Sequence, residues 1–416
     1  MKNMTLERIT EVCGGVYYGS EADKKKEIAG AVIDSRQVES GYLFIAVKGE
    51  KVDGHQFIPQ VFEKGALAVL SEQELSDPAG PYIRVESTLG AMKKLAAYYR
   101  RSLDIKVVGI TGSVGKTSTK EMIASVLSQK YNVLKTEGNF NNEIGLPLTI
   151  FKIREQHEVA VLEMGISEFG EMHRLAEMAY PDICVITNIG LCHLENLLTR
   201  DGILKAKTES FEHLTPEGTA VLNGDDDKLS TKKEVNGKPV IFYGVGADSA
   251  FDIKKDIYAT DIENHGLEGM RAKIHTPQGD FDAKIPIPGE HNVYNALAGT
   301  AVGLQLGLSI REIAQGIASV QTIAGRTNLL HVKGMTVIDD CYNANPVSMK
   351  ASIDVLAHTS GRRIAVLGDM GELGAEEKEL HRSIGKAVAA SGIDALFCAG
   401  TLAEEYASEA KANPEC

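Results

Sequence analysis

The sequence predicts an α/β chain of three units, the central one built on a mostly parallel sheet. Three observations carry that expectation. Val107-Val-Gly-Ile-Thr-Gly-Ser-Val-Gly-Lys-Thr-Ser-Thr119 runs from an apolar strand through a glycine-rich turn into a helix-compatible segment, 118–130. Short apolar runs alternate with helical patterns over most of the chain, the arrangement of a sheet covered by helices. The 416 residues are too many for one ordinary core, so two or three domains are expected.

Taken in order, residues 1–85 form a small first α/β unit, with strand-like runs at 43–47 and 66–70 and a proline- and glycine-bearing loop at 76–81. An amphipathic helix at 87–101 leads into the second unit, 86–320. Its expected strands are 107–110, Val159–Glu163, 183–187, 219–222 and 240–243, followed by a β-rich insertion between 250 and 287 and a helix at 293–306. Ligands of such sheets sit at the carboxyl ends of strands, where Thr111, Glu163 and Asn188 all fall. The third unit, 321–416, reads as a second, Rossmann-like α/β sheet with strands 336–339, Ile364–Gly368 and Ala395–Ala399. It is expected to be incomplete, because only three strands precede Cys416.

Composition narrows the class. Apolar residues make up 43% and charged residues 24%, as in a soluble globular protein, and no apolar run approaches the roughly 20 residues of a membrane span. The N-terminus has no apolar signal core, so a cytoplasmic location without membrane insertion is expected. The net charge of −13 argues against a general nucleic-acid binder, though lysines concentrated around Lys116 can still hold an anionic nucleotide. The six cysteines, at 13, 184, 192, 341, 398 and 416, show no zinc or Cys-x-x-Cys spacing; Cys184 and Cys398 read as buried thiols in apolar strands.

The glycine-rich turn is the sharpest chemical signal. Gly112, Ser113, Val114, Gly115, Lys116, Thr117 and Ser118 form a strand-to-helix loop whose N–H groups and helix dipole suit phosphate oxygens, with Lys116 for the terminal phosphates and Thr117 for Mg²⁺. The usual longer phosphate-loop pattern needs a glycine where Ile110 stands, so the loop is of a shorter kind. Together with the absence of an Asn-Lys-x-Asp motif, this disfavours a regulatory GTPase.

Other positions admit two readings each. Glu163 is an exposed strand-end acid or a Mg²⁺ ligand. His193 is a satisfied loop residue or, beside Glu163 and Thr117, part of a metal site. Lys205 and Lys207 cannot share a helix face, so one can point inward, lose its charge and take up CO₂ as a carbamate. Asn292 and Asn295 are helix-cap residues or an adenine contact. Arg326 and Asp339 serve local turns, or phosphate and ribose; the Asp34-Ser-Arg36 and Lys48-to-His55 segments read by themselves as ordinary turns.

Together these segments resemble the Mur ligases, ATP-dependent enzymes that extend the peptide of cell-wall precursors. The short loop is typical of such amide ligases. The resemblance rests on Asp34-Ser-Arg36, Gly41-Tyr-Leu-Phe44, Asp53-Gly-His55, Thr111-Gly-Ser-Val-Gly-Lys-Thr117, Asn139-Phe-Asn-Asn-Glu-Ile-Gly-Leu-Pro-Leu148, Thr187-Asn-Ile-Gly190, Gly289-Glu-His-Asn292, Asp340-Cys-Tyr-Asn-Ala-Asn-Pro346 and Leu367-Gly-Asp-Met-Gly-Glu-Leu373, in that order. It implies a UDP-binding first domain with Ser35, Arg36, Asp53 and His55 on the precursor. A central ATPase domain would use Lys116 on the ATP phosphates, Thr117 and Glu163 on one Mg²⁺, and His193 with a carbamoylated Lys207 on a second. Asn292 would meet adenine, Arg326 the phosphates, and Asp339 or Asp340 the ribose. Asn139, Asn141, Asn142, Tyr342, Asn343 and Asn345 would serve the other substrates. The implied substrates are UDP-N-acetylmuramoyl-tripeptide and D-alanyl-D-alanine, joined through an acyl phosphate by a monomer.

Two alternatives stay open at this point. One is the sibling that adds the third amino acid, which the absence of Asp-Asn-Pro-Arg after the 395–399 strand disfavours. The other is a catalytically weak form, since relatives in the family continue with a Lys-Gly-Ser-Arg-like motif beyond the point where this chain ends.

Overall fold

The computed structural model describes residues 1–411; Cys416 and the Asn413-Pro-Glu segment before it lie outside the described residues. The chain opens with the helix Leu6–Cys13, capped by the Thr5 side chain accepting from the Arg8 N–H and ended by Gly14 in the left-handed region. A five-stranded sheet follows, in the order Val16–Tyr18, Tyr82–Arg84, Ala68–Ser71, Leu43–Ile45, Ala31–Val32. Only the Val16–Tyr18 edge is antiparallel. Four of these strands are only two or three residues long, too short to leave a period in the sequence.

The helix Thr88–Arg101 joins the first and second units. Ser87 caps it, and its buried stripe, including Met92, Leu95 and Tyr99, shares a core with Leu6 and Ile9 of the first unit and with Leu146 and Leu175 of the second. Arg100 is buried on the same helix, donating to the Ala179 carbonyl at 3.0 Å and the Tyr180 carbonyl at 3.1 Å and pairing with Asp182 at 3.3 Å. A buried guanidinium is tolerable only when its donors are met in this way.

The central sheet has nine strands, in the order Gly279–Ile285, Met270–Thr276, Ile257–Asn264, Ile241–Val245, Thr219–Asn223, Ile183–Ile186, Lys106–Thr111, Val159–Glu163, Val133–Lys135. From Ile257–Asn264 to Val133–Lys135 every pairing is parallel. Ile183–Ile186 and Val159–Glu163 are buried at every residue, as expected of parallel strands covered on both faces. The region 250–287 is β-rich as expected, and its strands extend the central sheet, the last two antiparallel. The loop helix Lys116–Leu127 packs against His291–Gln305 and Ile310–Ala318; a Cβ on Gly316 would lie 2.4 Å from Val126 Cα, so only glycine allows this approach.

The third unit departs from the expected single sheet. Met335–Asp339 pairs antiparallel with Asn328–Val332, whereas Ile364–Gly368 pairs in parallel with Ala395–Ala399, and no ladder joins the two pairs among the described residues. The reason is local. Lys333 and Gly334 both have positive φ, 48° and 79°, the geometry of a tight hairpin turn, so the 335–339 strand finds its partner in the preceding segment. Behind the parallel pair, Met349, Ile353, Ile384, Val388 and Tyr406 form a core. The uncovered face leaves Val366 and Phe397 exposed. Cys398, beside Leu367 on the other face, is exposed too, near the carboxyl end of its strand, which corrects the expectation that it is buried. Cys184 is buried, and burial pushes its thiol up to about 12.

Candidate functional site

Three adjacent strands of the central sheet end at one crevice. Lys106–Thr111 feeds the glycine-rich loop, Val159–Glu163 ends on its carboxylate, and Ile183–Ile186 runs into Thr187 and Asn188. The loop is pinned by the last of these. Ser113 N–H donates to the Asn188 carbonyl at 3.0 Å, Val114 N–H to Asn188 Oδ1 at 3.0 Å, and Thr187 Oγ1 and Asn188 Nδ2 both donate to the Val114 carbonyl, at 2.6 and 3.0 Å. Gly190 N–H donates to Ser113 Oγ at 2.9 Å. Gly112 is required here: a Cβ would stand 1.9 Å from Thr187 Oγ1. Gly115, at φ 82°, turns the chain into the helix that Lys116 starts, with Ser118 half-buried in the first turn. Lys116 Nζ folds back onto its own loop, donating to the Gly112 carbonyl at 2.8 Å and the Ser113 carbonyl at 3.3 Å.

Glu163 is the buried carboxylate of the site. Its Oε1 accepts from Thr117 Oγ1 at 3.3 Å and from Asn141 Nδ2 at 2.7 Å. Its Oε2 has no hydrogen-bond partner, nor does the buried Thr111 Oγ1. Buried polar oxygens are rarely orphaned, and a carboxylate with one open oxygen beside a threonine hydroxyl fits a hard divalent cation such as Mg²⁺. Behind it stands Lys120, itself buried, donating to the Thr136 carbonyl at 2.7 Å, 3.1 Å from Glu121 and 3.9 Å from Glu163 Oε2. Sequence reasoning missed Lys120, although it lies one helical turn after Lys116, at the spacing that shares a face.

Lys207 is fully buried and Lys205 exposed, as the two-residue spacing requires. Burial, with Lys116 nearby, pulls the Lys207 amine down to about 7. His193 sits at φ 53° and its Nδ1 lies 2.6 Å from Glu372 Oε2, a contact from the central unit to the third. Its imidazole is pushed below the usual range, chiefly by burial and further by Lys207 and Lys116, while Glu372 opposes the shift. Lys116, His193 and Lys207 thus feel one another's charge. Glu372, part of the Leu367-to-Leu373 segment, was not singled out in the sequence.

Asn292 is buried at the start of the helix His291–Gln305. Its amide donates to the Pro288 carbonyl at 2.8 Å and its Oδ1 accepts from Asn295, which in turn accepts from Thr119 Oγ1 at 2.7 Å, tying this helix to the loop helix. Arg326 stacks its guanidinium 4.2 Å from the Tyr342 ring. Asp339 accepts from Gly325 N–H at 2.8 Å and from Cys341 Sγ, and Asp340 from Thr327 N–H at 3.0 Å and from Ser352. Asn343 Oδ1 accepts from the next N–H, and Asn345 caps the helix Pro346–Ala357. These third-unit residues form one cluster, and no hydrogen bond or ion pair joins it to the phosphate loop among the described residues.

Asn142 Oδ1 accepts from the Ile144 and Gly145 N–H groups, bracing the loop that carries Asn141, while Asn139 is exposed. In the first unit, Asp34 holds the exposed Arg36 through two oxygens, and Lys64 donates to the Ser35 carbonyl at 2.8 Å. His55 is buried between Asp53, 2.6 Å from its Nδ1, and the Glu72 N–H, 3.0 Å from its Nε2. It therefore braces a turn, with both ring nitrogens engaged.

A helix N-terminus open to phosphate, next to a buried carboxylate with an oxygen left for a cation, defines a phosphate-loop, nucleotide-using α/β protein. Similarity narrows the class. The middle-domain model of the Mur ligases matches residues 110–303, the glutamate ligase domain model residues 325–415, and the catalytic domain model residues 27–100. A UDP-N-acetylmuramoyl-tripeptide–D-alanyl-D-alanine ligase of Bacillus subtilis is 38% identical over 407 residues, 97% of this chain and 86% of the relative. The solved structure of MurF from Acinetobacter baumannii matches with a TM-score of 0.89 at 34% identity, covering 98% of this chain and 88% of that one. The MurF ligase of Thermotoga maritima, solved with ADP, matches with a TM-score of 0.80 at 32% identity, covering 91% and 86%. The chain belongs to the Mur ligase family.

Proposed function

We propose that the chain joins D-alanyl-D-alanine to UDP-N-acetylmuramoyl-tripeptide, with ATP converted to ADP and phosphate. The observation that carries this reading is the meeting of Thr117, Asn141 and Glu163 at the mouth of the phosphate loop, in a chain similar over nearly its whole length to ligases of that name.

A carboxylate cannot be attacked usefully by an amine, because oxide is a poor leaving group. The tripeptide's terminal carboxylate first attacks the γ-phosphorus of ATP; the P–O bond to ADP breaks and an acyl phosphate forms. The free amine of the dipeptide then adds to the acyl carbon, and the tetrahedral adduct collapses by expelling phosphate as the amine loses its proton. Lys116, held over the loop by the Gly112 and Ser113 carbonyls, can turn its ammonium to the β/γ oxygens, where negative charge accumulates. Thr117 and Glu163 would hold one Mg²⁺, and His193 with a carbamoylated Lys207 a second; Mg²⁺ bound there would offset the charge of the phosphates and the attacking carboxylate. Asn141, bonded to Glu163, couples the peptide-binding loop to that metal ligand.

Asn292 serves adenine, Arg326 the phosphates, and Asp339 or Asp340 the ribose. Ser35, Arg36, Asp53 and His55 serve the uridine nucleotide end, and Asn139, Asn142, Tyr342, Asn343 and Asn345 the rest of the substrates. Water would hydrolyse an acyl phosphate, so the third domain must close over the crevice. We read the chain as a cytoplasmic monomer; no helix among the described residues is long and apolar enough to cross a membrane. The test is phosphate release from ATP with each amino-acid substrate omitted in turn: release that needs both supports the reading, and release that ignores D-alanyl-D-alanine overturns it.

A further inference from the structure

His173, Glu212 and His213 stand together on the surface of the central unit, where the proposed reaction uses none of them. His173 lies on the helix Glu171–Ala179; Glu212 and His213 lie on the turn Glu209–His213, which runs on from the helix carrying Lys207. Glu209 fixes the two elements against each other, its carboxylate accepting from Gly170 N–H at 3.1 Å and from His173 N–H at 3.3 Å.

The chemistry of the trio is specific. Glu212 Oε2 lies 2.7 Å from His173 Nδ1, so that nitrogen carries the proton and His173 Nε2 keeps its lone pair. His213 Nε2 lies 3.3 Å from His173 Nε2, with the two rings edge to face and their centroids 4.4 Å apart. Two imidazole nitrogens on a tetrahedral zinc, each about 2.05 Å from the metal, stand about 3.3 Å apart. A carboxylate behind one ligating imidazole is the usual outer partner of a zinc-bound histidine.

We propose that His173 and His213 bind a borderline divalent transition cation such as Zn²⁺ through their Nε2 atoms, with Glu212 orienting His173 and solvent completing the shell. Imidazole pairs select Zn²⁺, Ni²⁺ or Cu²⁺ over Mg²⁺ and Ca²⁺, so this site is chemically distinct from the oxygen-rich one at Glu163. Bound there, the cation would clamp the Glu171–Ala179 helix to the turn that follows Lys207.

The test is calorimetric titration of Zn²⁺ into the metal-stripped full chain, with Mg²⁺ and ADP present at saturation to occupy the nucleotide crevice. The wild type should take up one equivalent more than His173→Ala and than His213→Ala, and Zn²⁺ should raise the melting temperature of the wild type but of neither variant. Glu212→Gln should retain the equivalent with affinity weakened about tenfold. Circular dichroism confirms that each variant is folded; both histidines are accessible to solvent, so truncation removes no core. Equal stoichiometry in wild type and both folded variants would mean that the two rings share only an N–H···N hydrogen bond, and the site would be discarded.

Discussion

His193 of the central unit and Glu372 of the third meet across the chain, Nδ1 to Oε2 at 2.6 Å, and both residues hold positive φ, 53° and 60°. A carboxylate on Nδ1 fixes the ring's orientation and leaves Nε2 as the nitrogen with the lone pair. The third unit thereby orients a residue of the proposed metal site. Glu372→Gln keeps the side chain's shape and removes its charge. It is expected to raise the Mg²⁺ concentration for half-maximal phosphate release by about tenfold or more, with little change in melting temperature. An unchanged Mg²⁺ dependence would make the contact incidental.

Gly112→Ala should abolish nucleotide binding. The added Cβ would meet Thr187 Oγ1 at 1.9 Å and Thr187 Cβ at 3.1 Å, and the backbone there holds φ 150°. Thr187→Ser removes only a methyl group, so it should not restore binding to the alanine variant. Titration with a fluorescent ATP analogue checks both; binding by the single variant within a few-fold of wild type would contradict the loop geometry.

Lys207 gives a pH signature. Its folded amine releases its proton near pH 7, against an ordinary value of 10.5, chiefly because it is buried. Below pH 7 the folded chain carries a buried charge and is least stable on this account. From pH 7 to 10.5 the unfolded chain holds a proton that the folded chain has lost, so this group's contribution to stability improves as pH rises across that window. The neutral amine is also the form that adds CO₂, losing a proton to become a carbamate. With ¹³C-labelled bicarbonate, a carbamate resonance should grow as pH rises through about 7 and be absent from Lys207→Met; a wild-type spectrum without it would remove the carbamate from the proposed site.

ATP with Mg²⁺ should draw the third domain onto the central one, because the acyl phosphate needs a closed site. X-ray scattering should show a smaller radius of gyration with a non-hydrolysable ATP analogue and Mg²⁺ than without. Superimposable profiles would contradict closure.

Much of this was legible in the sequence because it is local. The strand, glycine-rich turn and helix around Lys116 lie within one continuous stretch, and Glu163 and Asn188 announce themselves by ending apolar runs. Lys205 and Lys207 could be sorted into one exposed and one buried residue from spacing alone. What escaped depends on pairings that no single segment encodes. The Glu372 contact joins positions 179 residues apart, and the Asn141 amide reaches Glu163 only because two loops fold over the same strand end. The third unit was misread for a different reason: its three apolar strands invite one sheet, but Lys333-Gly334 makes a hairpin that captures the first of them. Cys398 was misread for another reason: it faces the same side as Leu367, but the last three residues of its strand, Phe397 to Ala399, all lie exposed at the strand's carboxyl end.

The most direct test of the central claim is the product itself. Incubated with ATP, Mg²⁺, UDP-N-acetylmuramoyl-tripeptide and D-alanyl-D-alanine, the chain should release one phosphate for each tripeptide that gains the mass of the dipeptide less one water, and none when either amino-acid substrate is left out. Tight binding of the UDP-tripeptide with no heavier product and no phosphate would contradict the assignment of this chain as a working ligase.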